Sequence, residues 1–115
     1  MNTIKKIAAQ GDVLFRRIKT LPDDLVESKR DANNRLVVAH SETGHHHAVE
    51  DQHTRMLEKA TRDPMICYLQ ISSAYADVIH HRPFDTHGTL RLLKGNWEVR
   101  RQREHTPEGL RRVED

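Results

Sequence analysis

Residues 65–71 set the strongest constraint on this chain. Met65, Cys67, Leu69 and Ile71 alternate with Ile66, Tyr68 and Gln70. Apolar side chains that recur at every second position share one face of a strand, because successive side chains point to opposite sides, whereas a helix would scatter them around its axis. The same spacing recurs around Trp97 and Val99 and, less cleanly, around Val13 and Phe15. The chain is therefore expected to be mainly β, a small single-domain β-barrel or sandwich of short strands.

The punctuation between these runs suggests an order of elements. Residues 10–18 read as a first strand, with Val13, Phe15 and Arg17 on one side and Leu14, Arg16 and Ile18 on the other. Residues 21–24 and 31–34 read as turns, since Asn and Asp satisfy their own backbone locally and tolerate unusual φ, with a loop between them. A hairpin is expected from strands at 35–40 and 45–50 around residues 41–44. Residues 54–60 fit a strand or a helical turn. The central strand at 65–71 is expected to break at Ser72 and Ser73 before another at 76–81. A second hairpin is predicted around Lys94, Gly95 and Asn96, and a short C-terminal helical turn over residues 109–113, because Thr106 can cap it and Pro107 suits a first helical position. The first ten residues are expected to be a flexible lead-in to one domain covering residues 1–115.

Composition narrows the function. A chain of 115 residues fits one core, and its 36% hydrophobic content argues against wholesale disorder. The net charge of +2 is too small to mark a nucleic-acid binder by charge alone, so any basic surface must be local. The single cysteine, Cys67, excludes an internal disulfide and a Cys-rich zinc site; within so apolar a strand it reads as a buried hydrophobe and not a nucleophile. Residues 1–10 lack the apolar core of a secretion signal, which points to the cytoplasm. The longest uncharged stretch, residues 64–76, is too short and polar to span a bilayer, so no membrane role is expected. Phosphate-loop, dinucleotide and serine-hydrolase motifs are absent.

The nine histidines are the compositional anomaly. In Gly44-His-His-His-Ala-Val-Glu-Asp51, a strand would project His45 and His47 from one face, about 7 Å apart, and His46 from the other. Two imidazoles so placed can converge on a divalent transition metal such as zinc, iron, manganese, nickel or copper. A third ligand must come from elsewhere. His87, beside the side-chain-free Gly88, is the preferred one, with Asp51 and His81 in reserve. Surface exposure is the competing explanation for these histidines.

The Gly44 to Asp51 string resembles the first motif of the cupins, small β-barrels in which H-x-H and an acid four or five positions on bind a metal; Asp51 stands where that acid would be. After Gly95, where the cupins place a last histidine, this chain has Glu98. More of the chain resembles a set of small uncharacterised bacterial and phage-encoded proteins, in Gln10-Gly-Asp-Val13, in Ser41-Glu-Thr-Gly-His-His-His47 and in the run from Arg100 to Pro107. That resemblance implies a cytosolic or phage-related protein and brings no activity with it.

The leading expectation is thus a cytoplasmic metal-binding β domain, more a binder than a catalyst, with Asp51 or Glu98 as the base if a metal-bound water reacts. The rival is a phage-related interaction module with incidental histidines, whose basic strand carries Arg101 and Arg103 on one face for an anion, a nucleic acid or a host protein. A charged edge strand that discourages unwanted pairing explains those arginines equally well. A small molecule and a second copy, as a homodimer, complete the partners considered.

Overall fold

The computed structural model describes residues 2–39, 46–61, 63, 65–80, 88–101, 105–106 and 109–110. Its strands are β1 (Asn2–Ile4), β2 (Ile7–Gln10), β3 (Val13–Ile18), β4 (Leu25–Glu27), β5 (Leu36–Ala39), β6 (His47–Val49), β7 (Thr54–Lys59), β8 (Ile66–His80), β9 (Leu90–Arg101), β10 (His105–Thr106) and β11 (Gly109–Leu110). The expectation of a mainly β domain holds. Among the described residues the main sheet does not close into a barrel.

Two long antiparallel strands, β8 and β9, organise everything else. The first part of β8 and the last part of β9 lie in one half of the sheet, ordered β4-β7-β8-β9-β3-β2. The last part of β8 and the first part of β9 lie in the other, ordered β5-β6-β8-β9-β1, with β1 parallel to β9. Between the halves the register shifts, from Ile71 opposite Gly95 to Tyr75 opposite Leu93, so Ser72, Ser73 and Ala74 lie against Lys94 alone. An insertion of this kind bends a strand pair and re-aims its side chains. The buried positions show it: Cys67, Leu69 and Ile71 before the shift become Ala76, Val78 and His80 after it, and on β9 Leu90 and Leu92 become Trp97 and Val99. Odd and even positions exchange faces on both strands at once, and the pair folds over a common core containing Phe15, Leu69, Val78, Leu92 and Trp97.

Gly95 makes the bend possible, because its φ of +141° is a conformation that L side chains rarely adopt. Residues 94–96 are therefore a kink inside one continuous strand and not the tip of the second hairpin read from the sequence. The Trp97 indole N–H donates to the Leu93 carbonyl at 2.9 Å, tying the chain across this kink.

Other local readings fare unevenly. The turn at residues 31–34 forms: Asp31 accepts from the N–H groups of Asn33 and Arg35, and Asn34 takes a positive φ. Residues 54–60 resolve as strand β7, and its partner β4 replaces the loop expected between residues 24 and 31. The first ten residues supply β1 and β2. What reads as one strand from Gln10 to Ile18 is the β2–β3 hairpin, turned at Gly11 and Asp12 with Gly11 at φ +60°, the glycine-first geometry of a type II′ turn. At the C-terminus Gly109–Leu110 pairs with His105–Thr106 in place of the start of a helical turn; residues 111–113 lie outside the described residues.

The two halves touch through Cys67, whose Sγ lies 3.8 Å from the Val38 carbonyl oxygen on β5. Burial pushes the Cys67 thiol up to about 12, so almost none is thiolate at neutral pH. In the native protein Cys67 is expected to resist a disulfide reagent at pH 8 under conditions in which the urea-unfolded chain reacts fully. Rapid native labelling would show that the halves separate readily.

Candidate histidine site

Folding the strand pair over itself brings two sets of strand ends together at the side away from the kink. The first half contributes the β2–β3 turn and the end of β9, and the second contributes the start of β6, the end of β8 and Gly88. His47 on β6 lies directly across from His80 on β8. Their rings stack with centroids 3.9 Å apart and planes 15° from parallel, and both residues are buried.

Gln10 fixes the arrangement. It is 4% exposed, and its side-chain nitrogen donates to the Val78 carbonyl at 2.9 Å and to the Gly88 carbonyl. With the amide hydrogens directed at carbonyls, Oε1 must be the atom that meets His47 Nδ1 at 2.7 Å. Nδ1 therefore carries the hydrogen and donates it. In the neutral ring the lone pair then sits on Nε2, which faces Asp12 Oδ1 at 4.0 Å. The other Asp12 oxygen lies 3.8 Å from Arg101 Nη2. A histidine whose Nδ1–H is held by a carbonyl while Nε2 faces a carboxylate is oriented as a metal-ligating imidazole is, with its tautomer set from behind.

The candidates read from the sequence are distributed as follows. His47 is at the centre. His45, His81 and His87 lie outside the described residues, as does Arg103. Each neighbours a part of the site in the chain: His45 is two residues before His47, His81 follows His80, and His87 precedes Gly88, whose carbonyl holds Gln10. The structure brings Asp12 to His47, whereas the Asp51 carboxylate accepts from the hydroxyls of Thr54 at 2.7 Å and Ser73 at 3.2 Å, bracing the register shift in β8. Glu98 is engaged by Arg16 at 3.2 Å and Arg100 at 3.6 Å. Among the described residues, no group of three or more His, Cys, Asp or Glu lies close enough to hold a metal ion by itself.

Sequence reading missed Gln10 and Asp12, and it preferred His81 to the adjacent His80. The available signal was Gly11 between two polar residues inside an apolar run, which marks a tight turn and delivers its flanking side chains to one strand end.

The arrangement defines a mainly β domain with a buried, stacked histidine pair at the junction of its two half-sheets, in which the Gln10 side-chain carbonyl orients His47. Over residues 9–102 the chain matches the family described as Domain of unknown function (DUF8820), and it belongs to that family. The matched region contains β3 to β9 and every described residue of the histidine site. No curated protein and no solved structure matches the chain. Among the described residues no helix is long and apolar enough to cross a membrane.

Proposed function

We propose that this protein is a cytoplasmic metal-binding β domain, related to small bacterial and phage-encoded proteins, in which His47 is the central ligand of a divalent transition metal. The observation that carries this reading is the His47 ring: Gln10 holds Nδ1 as a donor, which directs the lone-pair-bearing Nε2 toward the Asp12 carboxylate. His45 and His87 complete the ligand set with His81 in reserve, whereas Asp51 is held at the register shift by Thr54 and Ser73. Zinc, iron, manganese, nickel and copper all suit imidazoles with one carboxylate. The buried, unpaired Cys67 suits a reducing compartment.

Elemental analysis of untagged protein should give close to one equivalent of metal, and His45→Ala combined with His47→Ala should abolish it. Asp12→Asn should weaken binding by about 10- to 100-fold, the usual effect of removing a group that supports a ligand. Imidazoles must be neutral to ligate, so affinity should fall as pH drops through about 6 to 5. Full metal content in the double histidine variant, or a flat profile across that pH window, would overturn the reading.

A further inference from the structure

The kinked side of the folded strand pair carries a second feature that the histidine site does not use. A groove of about 650 Å³ opens there, and Lys5, Lys6, Arg16, Arg17 and Lys19 line it without any acidic side chain. Five cations in one lining exceed the +2 net charge of the whole chain, so positive charge is concentrated here and offset elsewhere. Among the described residues, only Arg16 of the five has a carboxylate partner, Glu98 at 3.2 Å.

The groove is partly built. Arg17 continues the row of Val13 and Phe15, and its guanidinium carbon lies 5.9 Å from the centre of the Trp97 ring. It donates to the Lys5 carbonyl at 3.3 Å and to the Lys94 carbonyl. It also lies over Gly95 so closely that a β-carbon there would stand 3.0 Å from Arg17 Nε. The glycine that permits the kink therefore also seats this arginine. Two bonds to carbonyls leave a guanidinium with further N–H donors for a ligand. Ile7, 55% exposed, and the half-buried Ile18 sit among the cations.

We propose that this groove binds the sugar–phosphate backbone of a single-stranded nucleic acid. Several cations along an open groove suit a chain of phosphates better than one isolated anion. The exposed Ile7 and half-buried Ile18 give apolar contact to sugars and unpaired bases, which a duplex would not present here. No aromatic ring lines the groove, so phosphate contacts and not base stacking carry the binding. By contrast, Arg100 and Arg101, in the basic strand singled out from the sequence, face Glu98 and Asp12. The proposal does not depend on metal binding.

Fluorescence anisotropy with a labelled oligodeoxythymidine of about 20 nucleotides tests it. The full chain should bind with a Kd of about 10⁻⁶ M or tighter in 50 mM salt, with log affinity falling linearly against log salt. Replacing Lys5, Lys6 and Lys19 together by Ala should weaken binding at least tenfold and flatten that slope by about 2 units, at roughly 0.7 per lost contact for a single strand. Lys19→Glu alone should act in the same direction. Circular dichroism should show the same strand signal in the lysine variants, since these side chains are exposed. Absence of binding by the unmodified chain at low salt, equal affinity in the triple variant, or equal competition by a polyglutamate peptide of similar length would each overturn the proposal.

Discussion

Trp97→Ala should lower the stability of this protein by about 3–5 kcal/mol, the usual cost of truncating a large aromatic side chain in a core. Trp97 is completely buried, and its environment leaves little room for compensation. It lies between the half-sheets beside Leu69 and across from Arg17, and its indole N–H is spent on Leu93 across the kink. Loss of the ring removes packing on both layers, and loss of the N–H leaves a carbonyl without its partner at the bend, which adds about 1 kcal/mol. A domain of this size is usually stable by only 5–15 kcal/mol. The urea midpoint should therefore fall by about 2 M, given typical slopes of 1–3 kcal/mol/M. Trp97→Phe keeps most of the apolar volume and should recover more than half of the loss. A shift below about 0.5 M for Trp97→Ala would show that the kinked region contributes little to the folded state.

Gln10→Ala should be the most costly polar substitution, by about 2–4 kcal/mol. One side chain satisfies the Val78 carbonyl, the Gly88 carbonyl and the Nδ1–H of His47, and each buried polar group left without a partner costs about 1–3 kcal/mol. Partial entry of water keeps the total below the sum. Thermal unfolding should drop by on the order of 10 °C. Gln10→Glu is nearly isosteric yet should be no better, because a carboxylate offers no hydrogens to the two carbonyls. If Gln10→Glu matches the unmodified chain in stability, the amide orientation assigned above is wrong, and with it the tautomer of His47.

These two residues mark how far the sequence could be read. Trp97 lies in a run whose alternation is visible, and its place in the core follows directly. The same is true of Leu69 and Cys67. What alternation does not reveal is that the strands at 65–71 and 76–81 are one strand, and likewise the two arms of the hairpin expected around residues 94–96. Each changes its buried parity midway, and a parity change in sequence is indistinguishable from a chain break. Gly95 reads as a turn for the same reason: positive φ is common to turns and kinks, and only the partner strand decides between them. Strand β4 is three residues long and is held by pairing with β7, a tertiary cause with no local pattern. At the histidine site, His47 was legible because the H-x-H spacing puts it on one strand face with His45. Gln10 and Asp12 were not, since a buried glutamine looks in sequence like any polar residue, and its contacts lie 37 to 78 positions away along the chain.

Because β8 and β9 each run through both layers and form the centre of each, neither layer can open while leaving the other intact. Hydrogen exchange makes the consequence measurable. Amides along β8 and β9, from Cys67 to Val78 and from Leu90 to Val99, should exchange only through complete unfolding and share one free energy, where a sandwich of separately stranded sheets could show two. Trimming the chain near the kink to isolate either half is for the same reason expected to give an unfolded polypeptide, so the smallest cooperative unit of this protein contains both layers.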